Sequence, residues 1–268
     1  MSIILFGFKQ GIDFSGGSLW EIKTSKSLSI DEVRTFLSDY VDGDIVVQPL
    51  DQGLIMRFKN IDEETHQKIY NDFTKKFGLM IENRFESVGP TIGQELKKKS
   101  MMAVILVIIA TVIYIAWAFR KVSQPVSSWM YGILTVVSLS HDVLIPMGLF
   151  AILGRFFNVE IGASFIAAIL AVAGYSINDT IVVLDRVREN VAKDKSSFED
   201  VVEKSIHQTI ARSLNTTTTT LLALVAVYFF GGETVKYFAL ALIVGIAVGA
   251  YSSIFIASPL LVTWYKRR

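Results

Sequence analysis

Five apolar segments follow one another after residue 99, at about 100–119, 127–153, 161–184, 213–230 and 237–265. A bilayer core of about 30 Å needs about 20 apolar residues as a helix, and each segment reaches that length, the fourth barely. In hydrocarbon every backbone N–H and C=O must be satisfied inside the structure, so segments of this kind span as helices. The composition agrees: 51% of the 268 residues are hydrophobic and the mean hydropathy is +0.46, beyond an ordinary soluble domain. Residues 18–99 are different and read as a polar domain.

That domain reads βαββαβ. Ser18–Thr24 alternates Leu19, Glu21 and Lys23 against Trp20, Ile22 and Thr24, a strand pattern. Ser29–Tyr40 opens with Ser29 and Glu32 spaced as a capping box and carries Ile30, Val33, Phe36 and Leu37 at helical spacing. Asp44–Leu50 and Leu54–Lys59 are strands joined through Asp51-Gln52-Gly53. Asp62–Phe77 is an amphipathic helix, and Leu79–Ser87 is the last strand. The order predicts a ferredoxin-like α+β domain, which by itself implies no function.

Charge divides the loops. Arg120 and Lys121 follow the first segment, and Arg186, Arg188, Lys193, Lys195, Lys204 and Arg212 separate the third from the fourth. Lys266, Arg267 and Arg268 come last. The positive-inside bias places these loops in the cytoplasm and the polar domain outside it. Lys97, Lys98 and Lys99 run against that bias but follow a translocated domain, where it is weaker. Asp185–Lys204 reads as a polar loop with helical character on the cytoplasmic surface. Net charge is +1, so no global field points to nucleic acid, and without cysteine thiol catalysis and disulfides are excluded. Walker A, HExxH and GxSxG patterns are absent, and no metal or cofactor site is expected.

The charged residues inside the apolar segments are the candidate site. Asp179 lies six residues from the next charge, roughly 9 Å of helix rise, and a carboxylate in hydrocarbon costs several kcal/mol unless paired or hydrated. Arg212 opens the next segment at comparable depth. An acid beside a cation stays ionised, and one desolvated without it takes up a proton, so the pair suits a proton-coupled machine. The alternative is a static ion pair that fixes helix register. Arg212, Thr216 and Thr220 share one helix face at i, i+4 and i+8, where the hydroxyls hold water or bond back to their own helix. Asp142, beside His141 and one turn before Pro146, is either a second relay group or a hydrogen-bonded structural residue; His141 itself reads as structural. Gly245 and Gly249 make a GxxxG packing step.

Three motifs carry a resemblance. Gly174–Asn190, GYSINDTIVVLDRVREN, resembles the fourth-helix motif of SecF-type members of the SecD/SecF family, within the resistance-nodulation-division superfamily. Gly11–Gly17, GIDFSGG, is similar to the signature that opens their extracytoplasmic domains, with Gly11, Ile12, Asp13, Phe14, Gly16 and Gly17 as its marker residues. Ser87–Gly93, SVGPTIG, is similar to the junction into the second membrane helix. Asp13 reads as a turn and cap residue among those glycines.

The resemblance implies a multi-pass α-helical membrane protein with an N-terminal ferredoxin-like extracytoplasmic domain. Its divisions are 1–10, 11–99 and 100–268. The family has six spans and five are present, so residues 1–10 read as the remnant of a first helix, and the natural polypeptide is expected to extend upstream. The resemblance further implies a bacterial inner-membrane subunit of the Sec protein translocase. Its partners would be SecD, the SecYEG channel, other accessory subunits, membrane lipid and the translocating polypeptide. The proton motive force would act through Asp179, with Asn178 beside it, and Arg212; Asp142, Thr216 and Thr220 complete the candidate pathway. The rival expectations are a scaffold subunit without proton use and a small-molecule exporter of the same superfamily. An intramembrane aspartyl protease built on Asp142 and Asp179 lacks its GxGD-type context.

Overall fold

The computed structural model describes residues 1–24, 28–50, 52–118 and 126–267. It divides into two compact units, Gln10–Ser100 and Met1–Lys9 with Met101–Arg268. The short helix α1 (Ser2–Phe6) belongs to the second unit.

The polar unit opens with the one-turn helix α2 (Ile12–Ser15) and continues β1 (Gly17–Thr24), α3 (Ile30–Ser38), β2 (Val46–Leu50), β3 (Gly53–Phe58), α4 (Glu63–Phe77) and β4 (Met80–Val88). Its four strands lie in the order β2-β3-β1-β4, all neighbours antiparallel. That is the ferredoxin-like arrangement expected from the element order. The strand period of two sends Trp20 and Ile22 to one face. There they are fully buried with Val33 and Leu37 of α3 and Ile69 and Phe73 of α4. Each such side chain contributes about 1.5–3 kcal/mol by burial. Trp20 Nε1 donates to Glu82 Oε2 at 2.6 Å, and His66 Nε2 lies 2.8 Å from the same oxygen, so one β4 carboxylate ties β1 to α4.

Two sequence expectations change in this unit. Ser29 stands at the N-cap of α3 but its side chain makes no cap bond, so the capping box is not formed. Asp62 does cap α4, accepting from Thr65 N at 2.9 Å. Asp13 occupies the first turn of α2, and the N-cap there is Gly11. Asp51 of the expected β2–β3 turn lies outside the described residues.

The GIDFSGG and SVGPTIG motifs pack against each other. Gly16 has φ +75, and a Cβ on it would sit 2.8 Å from Pro90 Cα; a Cβ on Gly93 would sit 3.0 Å from Gly16 N. Glycine is required at Gly16 for its left-handed backbone and for that close approach.

The membrane unit contains α5 (Pro90–Ala118, which begins in the polar unit), α6 (Ser128–Phe157), α7 (Ala163–Lys193), α8 (Phe198–Phe230) and α9 (Glu233–Ser252). A π turn (Ser253–Ala257) and α10 (Ser258–Lys266) continue the line of α9. Among the described residues five stretches are long and apolar enough to cross a membrane, the last running Val235–Lys266 through the π turn. Ile115, Tyr131, Leu184, Val187, Phe198 and Leu261 join α5, α6, α7, α8 and α10 in one core. Arg120 and Lys121 lie outside the described residues.

The expected surface loop at Asp185–Lys204 is instead the tip of a helical hairpin. α7 runs to Lys193 and α8 starts at Phe198, leaving only residues 194–197 as the connection. Polar side chains stitch the two helices where apolar ones would otherwise be needed. Asn190 Nδ2 donates to Ser205 Oγ at 2.8 Å and to Gln208 Oε1 at 2.9 Å, and Arg186 Nε donates to Gln208 Oε1 at 2.7 Å. Ser197 caps α8. Lys204, with Ser196, holds the Asp194 carboxyl well below the usual carboxylate range.

Candidate functional site: two buried carboxylates and their serines

Asp179 lies on α7 and is 6% exposed. Ser213 of α8 donates to its Oδ1 at 2.6 Å, and Ser253, the first residue of the π turn, donates to its Oδ2. Two hydroxyls on two neighbouring helices therefore take the carboxylate, one on each oxygen. Hydrogen bonds to a charged group are worth about 1.5–3 kcal/mol each. They offset part of the several kcal/mol that burying a carboxylate costs.

Asp142 lies on α6 and is fully buried. Ser176 of α7 donates to its Oδ2 at 2.5 Å, and Ser252 at the end of α9 donates to the same oxygen at 2.6 Å. His141 Nδ1 lies 3.0 Å from Oδ1, and Ser138 Oγ lies 3.0 Å from Ser252 Oγ. Pro146 has no N–H, so the helix supplies no i+4 donor to the Asp142 carbonyl. Ser252 and Ser253 are adjacent in sequence. One reaches each carboxylate.

Close packing makes these bonds possible. Gly245 and Gly249 of α9 lie against Val172 and Ser176 of α7: a Cβ on Gly245 would sit 2.3 Å from Val172 Cγ2, and one on Gly249 would sit 3.2 Å from Ser176 Cβ. The GxxxG step thus brings α9 onto α7 where Ser176 and Ser252 share Asp142.

The structure does not bring Arg212 to Asp179, and the expected ion pair is replaced by the two serine hydroxyls. The reason is helical geometry. Ser213 faces α7, and one residue earlier along the helix is about 100° around the axis, so Arg212 is exposed. Thr216 shares the exposed face of Arg212. Its hydroxyl donates to Arg212 O at 3.1 Å, a bond back to its own helix; that of Thr220 donates to Thr216 O at 2.9 Å and also lies 3.4 Å from Tyr175 OH of α7. Thr217, one turn beyond Ser213, is buried. Its hydroxyl and that of Thr180 have no partner among the described residues. Asn178 is exposed.

The sequence reading missed Ser138, Ser176, Ser213, Ser252 and Ser253. Adjacent serines in an otherwise apolar last span were the available signal, because a hydroxyl at that depth needs a partner.

Fold and site together define a multi-pass membrane protein that keeps two hydrogen-bonded carboxylates inside its bundle and carries a folded polar domain. Residues 69–267 match the family described as protein export membrane protein SecD/SecF, C-terminal, and residues 2–27 match the SecD/SecF GG motif. The chain belongs to the SecD/SecF family. It is 44% identical to the protein translocase subunit SecF of Thermobaculum terrenum, over 99% of this chain and 87% of that protein. It is 38% identical to SecF of Desulfurispirillum indicum, over 97% and 83%. The crystal structure of SecDF, a translocon-associated membrane protein from Thermus thermophilus, matches all of the chain with a TM-score of 0.83 at 33% identity. The chain spans 36% of the length of that SecDF chain.

Proposed function

We propose that the chain is a SecF-type subunit of a Sec protein translocase and lets the proton motive force assist export, with Asp179 as the proton-accepting group. The observation that carries the proton role is the burial of Asp179 of α7 against α8 and the π turn, with hydroxyls as its side-chain partners among the described residues. Such a carboxylate can exchange a proton without first breaking an ion pair. Moving one charge through 100 mV supplies about 2.3 kcal/mol, enough to bias a two-state motion by tens-fold. Thr180 and Thr217, with their unpartnered buried hydroxyls, offer a path for water toward Asp179. Arg212 is one residue from Ser213, so a rotation of α8 by about 100° would exchange the serine for the cation. Asp142 is the second relay group in this reading, and Thr216, Thr220 and Asn178 lie on its periphery.

The partner is a SecD-type chain, supported by the SecDF relative of Thermus thermophilus, of which this chain covers 35%. The assembly serves a SecYEG-type channel and its translocating polypeptide in the bacterial inner membrane. Residues 11–99 face away from the cytoplasm and the C-terminus faces it, as the lysines and arginines of the loops direct. The chain has no native cysteine. A cysteine at Gly232 should therefore react with an impermeant maleimide applied to intact cells, and one at Lys195 should not. The reverse pattern inverts the topology.

The decisive measurement is proton flux into vesicles holding the chain with its SecD-type partner. Wild type should conduct under an imposed gradient, and Asp179→Asn should fall to the level of protein-free vesicles. Equal flux in the two would leave a scaffold role.

A further inference from the structure

Each serine of the Ser252–Ser253 pair has one hydrogen and both a carboxylate and a backbone carbonyl in reach, and Ser252 Oγ also lies 3.0 Å from Ser138 Oγ. Ser252 Oγ lies 2.6 Å from Asp142 Oδ2 and 3.2 Å from Gly249 O. Ser253 Oγ donates to Asp179 Oδ2 and also lies 3.1 Å from Ala250 O. Both serines are fully buried. The two alternative carbonyls are consecutive and belong to the last regular turn of α9. Beyond it the backbone loosens into the π turn Ser253–Ala257, where Ser258 Oγ donates to Ser253 O at 3.0 Å. Single π turns inside α-helices concentrate at functional sites.

An ionised carboxylate accepts from its serine. A protonated one has a hydrogen of its own to donate and no longer needs the serine's. The serine oxygen then accepts, and its hydrogen turns to the backbone carbonyl three residues back. Such back-bonding bends a helix. Both swings strengthen back-bonding to consecutive carbonyls in the same turn of α9.

We propose that Ser252 and Ser253 are positioning residues that couple Asp142 to Asp179, so that a proton on either carboxylate favours a proton on the other. This rests on the reading of Asp179 as a proton site and goes beyond it, because it gives the two carboxylates a connecting element and a sign of coupling. The titratable groups of α6, α7 and α8 nearest the site are His141 and Asp142, Tyr175 and Asp179, and Arg212; the others lie six or more residues along their helices from Asp142, Asp179 or Ser213. The stretch Gly245–Leu261 of α9, the π turn and α10 carries no charge and only Tyr251, which is exposed. Direct repulsion between two carboxylates has a definite sign: neutralising one weakens proton binding at the other. The shared turn has the opposite sign.

The experiment is infrared difference spectroscopy of the full chain in phosphatidylethanolamine–phosphatidylglycerol vesicles, stepped in pH. The carboxylic acid bands are assigned by their loss in Asp142→Asn and Asp179→Asn. Asp142→Asn should raise the pH midpoint of the Asp179 band by about one unit, a tenfold gain in proton affinity. Ser252→Ala should erase that response, whereas Ser176→Ala, which removes the other donor to Asp142, should leave it. Ser253→Ala tests the coupling from the other side, through the Asp142 band in Asp179→Asn, and serves if Ser252→Ala does not accumulate. A midpoint that falls or stays put in Asp142→Asn overturns the coupling, as does a response that survives Ser252→Ala or vanishes in Ser176→Ala. An Asp179 band that never titrates overturns the proton-site reading as well, which separates the two failures.

Discussion

Asp179→Asn is expected to yield a folded, inserted chain that has lost the proposed enhancement of export. The side chains are isosteric. The amide oxygen accepts from one serine, and the amide nitrogen donates to the other. Ser253 can accept from that nitrogen because Ala250 O, at 3.1 Å, receives its own hydrogen. The hydrogen-bond count is kept, and the cost to stability stays within about 1 kcal/mol. What is lost is the titratable group. Asp179→Ala is the contrasting variant. It takes the charged acceptor from the buried hydroxyls of Ser213, at 2.6 Å, and Ser253, and hydrogen bonds to a charged group are worth about 1.5–3 kcal/mol each. Export of a secreted reporter, normalised to the amount of chain in the membrane, separates the two effects. Asn should abolish the enhancement at normal chain level, and Ala should also lower the level. Normal export by the Asn variant would remove Asp179 from the mechanism.

Gly245→Leu breaks the α7–α9 contact. Even a Cβ at this position would lie 2.3 Å from Val172 Cγ2 and 2.6 Å from Val172 Cγ1. Val172 is fully buried, and a valine in a helix has essentially one side-chain rotamer, so it cannot turn aside. Overpacking of this kind costs about 1–3 kcal/mol and occasionally more, and leucine falls at the upper end. Gly245→Ala is milder, since alanine recovers about 1 kcal/mol of helix propensity. Val172→Ala removes both opposing methyl groups and should restore most of the stability in the Gly245→Ala background. Thermal denaturation in detergent provides the comparison. A Gly245→Leu chain that melts with wild type would mean that α9 does not lie on Val172. The separation of α9 from α7 would also pull Ser252 and Ser253 from their carboxylates, so loss of export should accompany loss of stability.

Asp179 stood out in the sequence because a carboxylate in an apolar segment is costly until some partner offsets it, whichever partner that is. The helices of the bundle were legible for the same reason: an apolar segment in lipid has few ways to satisfy its backbone. The polar unit was legible from strand alternation, because period two decides which of Trp20, Glu21 and Ile22 meets the core. The partner of Asp179 was not legible. Arg212 and Ser213 are adjacent, and the choice between them is made by the rotation of α8 about its axis. Packing sets that rotation, through Thr217 and Ser213 facing inward. The roles of Ser252 and Ser253 were hidden for a related reason. A serine in a helix bonds its own backbone unless another helix brings an acceptor, and only the approach of α9 to α7 at Gly245 and Gly249 brings Asp142 and Asp179 within reach. Sequence determined which groups would be costly to bury; the relative placement of four helices decided which hydroxyls meet them.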